Sequence, residues 1–180
     1  EPAGVWHGRG LDRLGLDGAV DDDAYLRMMA GQHPTTGATL GREYTSRSVR
    51  GFDLTASAPK SVSVLWALGD DNIRAAVVDA HDRAVAAMLD WVENHALTRY
   101  RVNGEIHVVD ATGLVAAAFR QHTSRALDPQ LHTHLVLANR VRGDDGRWLA
   151  LDARGLKVDQ RTLSAIYHAG LRAELTASLG

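Results

Sequence analysis

R-Q-H-T-S-R-A-L-D-P-Q-L-H-T-H-L-V-L-A-N, residues 120–139, is the stretch whose reading decides the fold. Residues 132–139 are rich in β-formers and residues 114–119 make an earlier apolar run, with Asp128-Pro129 as the turn between them. The pattern predicts an antiparallel hairpin. His132 and His134 lie two apart, so on a strand both imidazoles leave the same face. His122 closely follows the first run and arrives beside them if the two runs pair. Three imidazoles on one sheet patch would offer a divalent metal three nitrogens, with its other positions open to substrate or water. H-x-H alone is a weak signal, because a single histidine is more often a surface or satisfied core residue. On spacing alone both readings stand.

Outward from this hairpin the chain reads as helices around a sheet. Residues 48–55 (S-V-R-G-F-D-L-T) alternate as a strand carrying Asp53 between Phe52 and Leu54. An acid among apolar strand residues is costly unless it caps, pairs with a cation or works as a base. Ser57-Ala58-Pro59-Lys60 opens a helix, with Ser57 as the expected cap. Residues 71–96 hold the clearest helical period: Ile73, Ala76, Val77, Ala80, Ala84, Val85, Met88 and Trp91 form its apolar side. His81 and His95 are expected on its solvated side.

Residues 99–109 read as a second hairpin turned by Asn103-Gly104, with His107 pointing outward. Residues 148–151 are a further strand, and residues 153–158 and 161–179 are closing helices. Earlier in the chain, residues 21–30 predict a short helix with an acidic start. The Gly-rich residues 1–20 read as irregular with at most a short helix, and residues 33–41 as a loop. One α+β domain over residues 1–180 fits, with an apolar strand at 132–142 in the middle of a sheet covered by helices.

Composition sets bounds on function. The 180 residues are 45% hydrophobic and 23% charged, the balance of a globular protein large enough for a sizeable core. There is no cysteine, which removes disulfides and thiolate metal sites. No apolar run is long enough to span a bilayer and the start is no signal peptide, so a cytoplasmic location is expected. A net charge of −2 excludes coating of nucleic acid by bulk charge. A local basic groove remains open: Arg42, Arg47, Arg50 and Lys60 cluster in one segment, and Arg120, Arg125, Arg140 and Arg142 flank the histidines.

G-F-D-L-T-A-S-A-P-K-S-V-S (residues 51–63) and H-T-S-R-A-L-D-P-Q-L-H-T-H (residues 122–134) resemble the TrwC/TraI-type (MobF) conjugative relaxases. The opening W-H-G-R-G-L-D-R-L-G-L-D-G and the loop at 31–40 are similar to the same family's early segments, so the likeness runs over nearly the whole chain. It implies an HUH endonuclease fold, a central antiparallel sheet flanked by helices. It implies a metal-dependent nickase that cuts one strand of DNA at a plasmid or conjugative-element transfer origin and keeps the cut end on a tyrosine.

Carried over by motif, His122, His132 and His134 would be the metal ligands and Asp53 the catalytic aspartate, as base or as orienter of a ligand histidine. Lys60, Arg125 and Arg50 are the candidates to meet DNA phosphates, each equally able to make a structural ion pair. One divalent ion is expected: magnesium or manganese for phosphate chemistry, with zinc or another transition metal as the alternative that imidazole ligands favour. Expected partners are single-stranded DNA at the transfer origin, other relaxosome proteins and a fused C-terminal helicase.

Two departures stand out. The family's nucleophilic tyrosines precede the W-H-G-R-G segment with which this chain opens, and Tyr25, Tyr44, Tyr100 and Tyr167 do not match their position. The chain therefore reads as a relaxase domain truncated at both ends, with the tyrosine on an upstream segment. Ala56 also replaces the family's aromatic in L-T-F-S. Two other readings follow from the missing tyrosine. One is a non-cleaving remnant that binds metal and single-stranded DNA. The other is a phosphodiesterase using a metal-bound water with Asp53 as base.

Overall fold

The computed structural model describes residues 2–180, apart from the side chain of Lys157. In chain order the elements are β1 (Val5–His7), α1 (Leu11–Leu14), α2 (Asp22–Met29), β2 (Gly51–Ser57), α3 (Lys60–Leu68), α4 (Asp71–His95), β3 (Leu97–Val102), β4 (Glu105–Asp110), β5 (Ala116–Thr123), β6 (Pro129–Ala138), β7 (Val141–Arg142), β8 (Trp148–Leu149), α5 (Ala153–Val158) and α6 (Gln160–Leu179). β1, β5, β6 and β2 form one antiparallel sheet in that order, and β3–β4 and β7–β8 are separate two-stranded ribbons. The α+β architecture, the central antiparallel sheet and the flanking helices are as expected from the sequence. No helix among the described residues is long and apolar enough to cross a membrane.

The pleat sorts side chains between two cores. On one face Ala116, Ala118, Leu131, Leu135 and Leu137 meet the buried stripe of α4 and Leu163, Tyr167 and Leu171 of α6. On the other, Trp6, Ala117 and Ala138 meet Leu14 of α1, Met28 of α2, and Leu16 and Leu40 from the loops. Because β6 carries apolar residues to both faces, it lies inside the sheet, between β5 and β2. Ala56, the departure from the family's aromatic, is buried in the first core.

Four local expectations are corrected. β1 adds to the sheet edge beside β5, although three residues in a Gly-rich segment give too short a pattern to announce a strand. Gly8 then turns the chain with φ +118°, where a Cβ would stand 2.2 Å from the Leu114 carbonyl oxygen, so only glycine fits. Ser57 stays in β2, opposite His132, and Pro59 takes the cap position of α3 with no side-chain cap. The run at 132–142 breaks: β6 stops at Ala138, and Val141-Arg142 pairs with β8 instead. The strand expected at 148–151 shortens to Trp148–Leu149.

A further correction concerns His81, which is fully buried. It lies four residues after Val77 and four before Val85, on the apolar stripe of α4. The layer tolerates it because both ring nitrogens are bonded: Nδ1 lies 2.7 Å from the Tyr167 hydroxyl and Nε2 2.7 Å from Thr133 Oγ1. His95 and His107 are exposed as expected.

Burial lowers the His81 pKa from its ordinary 6.5 to about 4. Between those values the unfolded chain binds the extra proton, so this contribution is complete above pH 6.5 and is lost as pH falls towards 4. The full depression corresponds to roughly 3 kcal/mol. Urea unfolding at a series of pH values should show stability falling more steeply below pH 6.5 in the parent chain than in His81→Gln.

Asn139, at the end of β6, fastens the loop that precedes β2. Its Nδ2 donates to the Val49 carbonyl at 2.7 Å and its Oδ1 accepts from Leu151 N–H at 2.8 Å. Asn139→Ala leaves both backbone groups unpaired and should cost about 2–3 kcal/mol, read as a lower urea midpoint at unchanged m value.

Candidate metal and nucleic-acid site

The β5–β6 register sets the site. His134 stands opposite Phe119, Thr133 opposite Arg120, and His132 opposite Gln121. Directly opposed residues share a face, so both imidazoles project with Phe119 and Gln121, away from α4. Their ring centroids are 5.2 Å apart. On the neighbouring β2, Thr55 lies opposite His134 and Ser57 opposite His132, and Asp53 follows on the same face. The expected pairing of the two histidines on one face holds.

Each of these rings is held at its inner nitrogen. His132 Nδ1 lies 2.9 Å from the Gln130 carbonyl, which can only accept, so that nitrogen carries the proton. His134 Nδ1 donates to Asp53 Oδ2 at 2.9 Å and lies 3.3 Å from Thr55 Oγ1. In both rings the tautomer leaves Nε2 with an available lone pair. Imidazoles oriented by a carbonyl and a carboxylate at Nδ1 are the pattern of metal-ligating histidines, so the donor chemistry fits a divalent ion. Asp53 is not the buried acid that its apolar neighbours suggest. Its side chain is 50% exposed, because β2 is an edge strand and this face is open here.

His122 is placed differently. A strict alternation with Gln121 opposite His132 would send the next residue to the far face. The register shifts between Gln121 and Thr123, and His122 lies against α3, whose Trp66 packs on the first core. The His122 ring lies flat on Trp66, with centroids 4.6 Å apart and planes 8° apart. Among the described residues, no three histidine, aspartate, glutamate or cysteine side chains are gathered as metal ligands.

The basic residues divide by partner. Lys60 pairs with Asp128 at 2.5 Å and donates to the Pro129 carbonyl at 3.0 Å, tying α3 to the β5–β6 turn. The same lysine and the Ser124 hydroxyl hold the Asp128 carboxyl below its ordinary pKa. Arg120 faces α4 and pairs with Asp82. Arg140 is buried 3.8 Å over the Tyr44 ring. Arg50 and Arg125 are exposed. The tyrosines are likewise accounted for. Tyr44 donates to the Asn139 carbonyl, Tyr167 is buried against His81, and Tyr100 stacks on His107 in the β3–β4 ribbon. Tyr25 packs edge-on against Phe119, and burial with the Asp53 charge raises its pKa.

Sequence reasoning missed Thr55, Gln130, Trp66 and His81 as neighbours of this site. Thr55 was legible, two residues after Asp53 on the same strand face, but the other three depend on how separate elements pack.

The structure thus shows a mixed helix-and-strand domain with two oriented imidazoles paired on one open sheet face. Residues 1–180 match the TrwC relaxase family model, and the chain belongs to that family. It is 43% identical over 150 residues to the multifunctional conjugation protein TraI of Escherichia coli K12, covering 82% of this chain and 8% of TraI. Among solved structures it resembles the conjugative relaxase TrwC in complex with OriT DNA in a copper-bound form, at TM-score 0.86 and 40% identity. That match covers 97% of this chain and 59% of the TrwC chain. A metal-free complex of TrwC with OriT DNA matches at TM-score 0.84 and 40% identity, covering 97% and 62%. The chain thus spans a small part of TraI and about three fifths of the TrwC chains.

Proposed function

We propose that this chain is the metal- and DNA-binding core of a relaxase that nicks one strand at a transfer origin and transfers it through a tyrosine carried on an upstream segment. The observation that supports it most directly is the pair His132 and His134, each with Nδ1 engaged and Nε2 available on one open face. His122 is the third proposed ligand, reaching the pair by leaving its stack on Trp66. TrwC, 40% identical, is described in copper-bound and other metal-bound complexes with OriT DNA, which supports both ligands for this chain.

A divalent ion bound there would supply Lewis-acid stabilisation of the charge that develops on the phosphoryl group. The chain's own part is orientation and proton handling. Asp53 Oδ2 fixes the His134 tautomer and ring orientation. Asp53 Oδ1 is the proposed acceptor for the tyrosine proton, since a phenol is weakly nucleophilic at its ordinary pKa. Reversal of the tyrosyl phosphodiester would religate the strand. Lys60 is proposed to position the β5–β6 turn through Asp128. Arg125 in that turn and Arg50 at the start of β2 are left to meet phosphates.

The test uses the full native protein, single-stranded DNA spanning its own transfer origin, and manganese. A covalent protein–DNA adduct should form, disappear with chelator, and form at least about 100-fold more slowly in His132→Ala and His134→Ala. Asp53→Ala should slow it and weaken manganese binding about tenfold or more. A folded full-length chain that binds the metal and the DNA but forms no adduct would point to the non-cleaving remnant. Metal-dependent phosphodiester turnover without an adduct would point to a metal-bound water. Arg50→Ala and Arg125→Ala should each lower the slope of log affinity against log salt by roughly 0.7, measured by fluorescence anisotropy.

A further inference from the structure

Thr133 sits between His132 and His134 in β6, and its side chain points the opposite way, into the core. There it lies 2.7 Å from His81 Nε2, whose Nδ1 lies 2.7 Å from the Tyr167 hydroxyl. All three residues are buried, with exposures of 3%, 0% and 1% for Thr133, His81 and Tyr167. The three groups form an unbroken polar line from α6, through α4, to the strand residue between two proposed ligands. Val77, Ala80 and Ala84 of α4 and Leu131 and Leu135 of β6, the elements that carry His81 and Thr133, belong to the apolar core.

We propose that the Tyr167–His81–Thr133 line is a positioning device for the metal-binding face, setting the height and tilt of β6 at the residue between its two imidazoles. The proposal rests on the metal reading given above. Hydrogen bonds are directional where apolar contacts are not, so two short bonds in series hold Thr133 to one depth against α4. A shift at Thr133 passes directly to His132 and His134, which share its backbone. Either neutral tautomer of His81 completes both bonds: one nitrogen donates to a hydroxyl and the other accepts from the second hydroxyl. Burial keeps His81 neutral at physiological pH, as this arrangement needs. The line also ties α6 to the strand that carries the two imidazoles.

Thr133→Val removes the hydroxyl at nearly constant shape, Tyr167→Phe removes the far end of the line, and Thr133→Ser retains the hydroxyl. Cobalt(II) is the probe, because its visible spectrum reports ligand geometry and a titration gives its affinity. Nitrogen-15 ring resonances of His132 and His134 in metal-free protein give a second readout. Thr133→Val and Tyr167→Phe should bind cobalt about tenfold more weakly, with an altered visible band and shifted His132 and His134 resonances. Thr133→Ser should restore all three. Folded variants with parental affinity, spectrum and resonances would overturn the proposal. If Thr133→Val fails to fold, Tyr167→Phe, which deletes a single hydroxyl, decides the matter. His132→Ala separates the two levels. Unchanged cobalt binding in that variant would sink the metal reading, whereas loss of binding there with parental behaviour in the relay variants would sink the relay alone.

Discussion

The antiparallel register of β5 on β6 is the constraint on which the rest depends. With a side-chain period of two, it assigns His132 and His134 to one face and Leu131, Thr133 and Leu135 to the other. α4 and α6 close the second face. A slip of one residue would carry the imidazoles into that core and Thr133 out of it. Apolar residues on both sides of β6 make the slip expensive in either direction, so the core enforces the geometry of a site that it does not contact.

The open face is finished by the edge strand. β2 brings Asp53 and Thr55 to His134, and its edge position leaves the carboxylate half exposed. Desolvation, the expense that a buried unpaired acid would carry, is thereby small. From the end of β2 the chain enters α3, whose Lys60 grips Asp128 in the β5–β6 turn and whose Trp66 faces His122. One short segment, residues 51–66, therefore supplies the orienting acid, the clamp on the turn and the platform for the third histidine.

Buried polarity is concentrated behind the site. Besides the His81 line, Asn139 closes the far end of β6 by bonding Val49 and Leu151, and Arg140 spans the Arg42 and Asn139 carbonyls above Tyr44. Each directional bond joins elements distant in sequence, and each removes a freedom that apolar packing would leave. The strand carrying the imidazoles is pinned at Thr133 and at Asn139, one near each end of its buried stretch.

The sequence alone determined most of the longer elements and, within them, which residues share a face. The period of α4, the Asn103-Gly104 hairpin and the shared face of His132 and His134 are all local consequences of backbone geometry. The relaxase likeness was likewise legible, because its motifs are contiguous. Only the tertiary structure decided what covers each face. It buried His81, whose tolerance in an apolar stripe depends on Tyr167 and Thr133, 86 and 52 residues away. It left Asp53 half exposed because β2 is an edge, and it set His122 on Trp66 of α3, a contact that no pattern in β5 announces. Periodicity tells which side chains travel together, while their environment is set by pairings between distant segments that a local pattern does not encode.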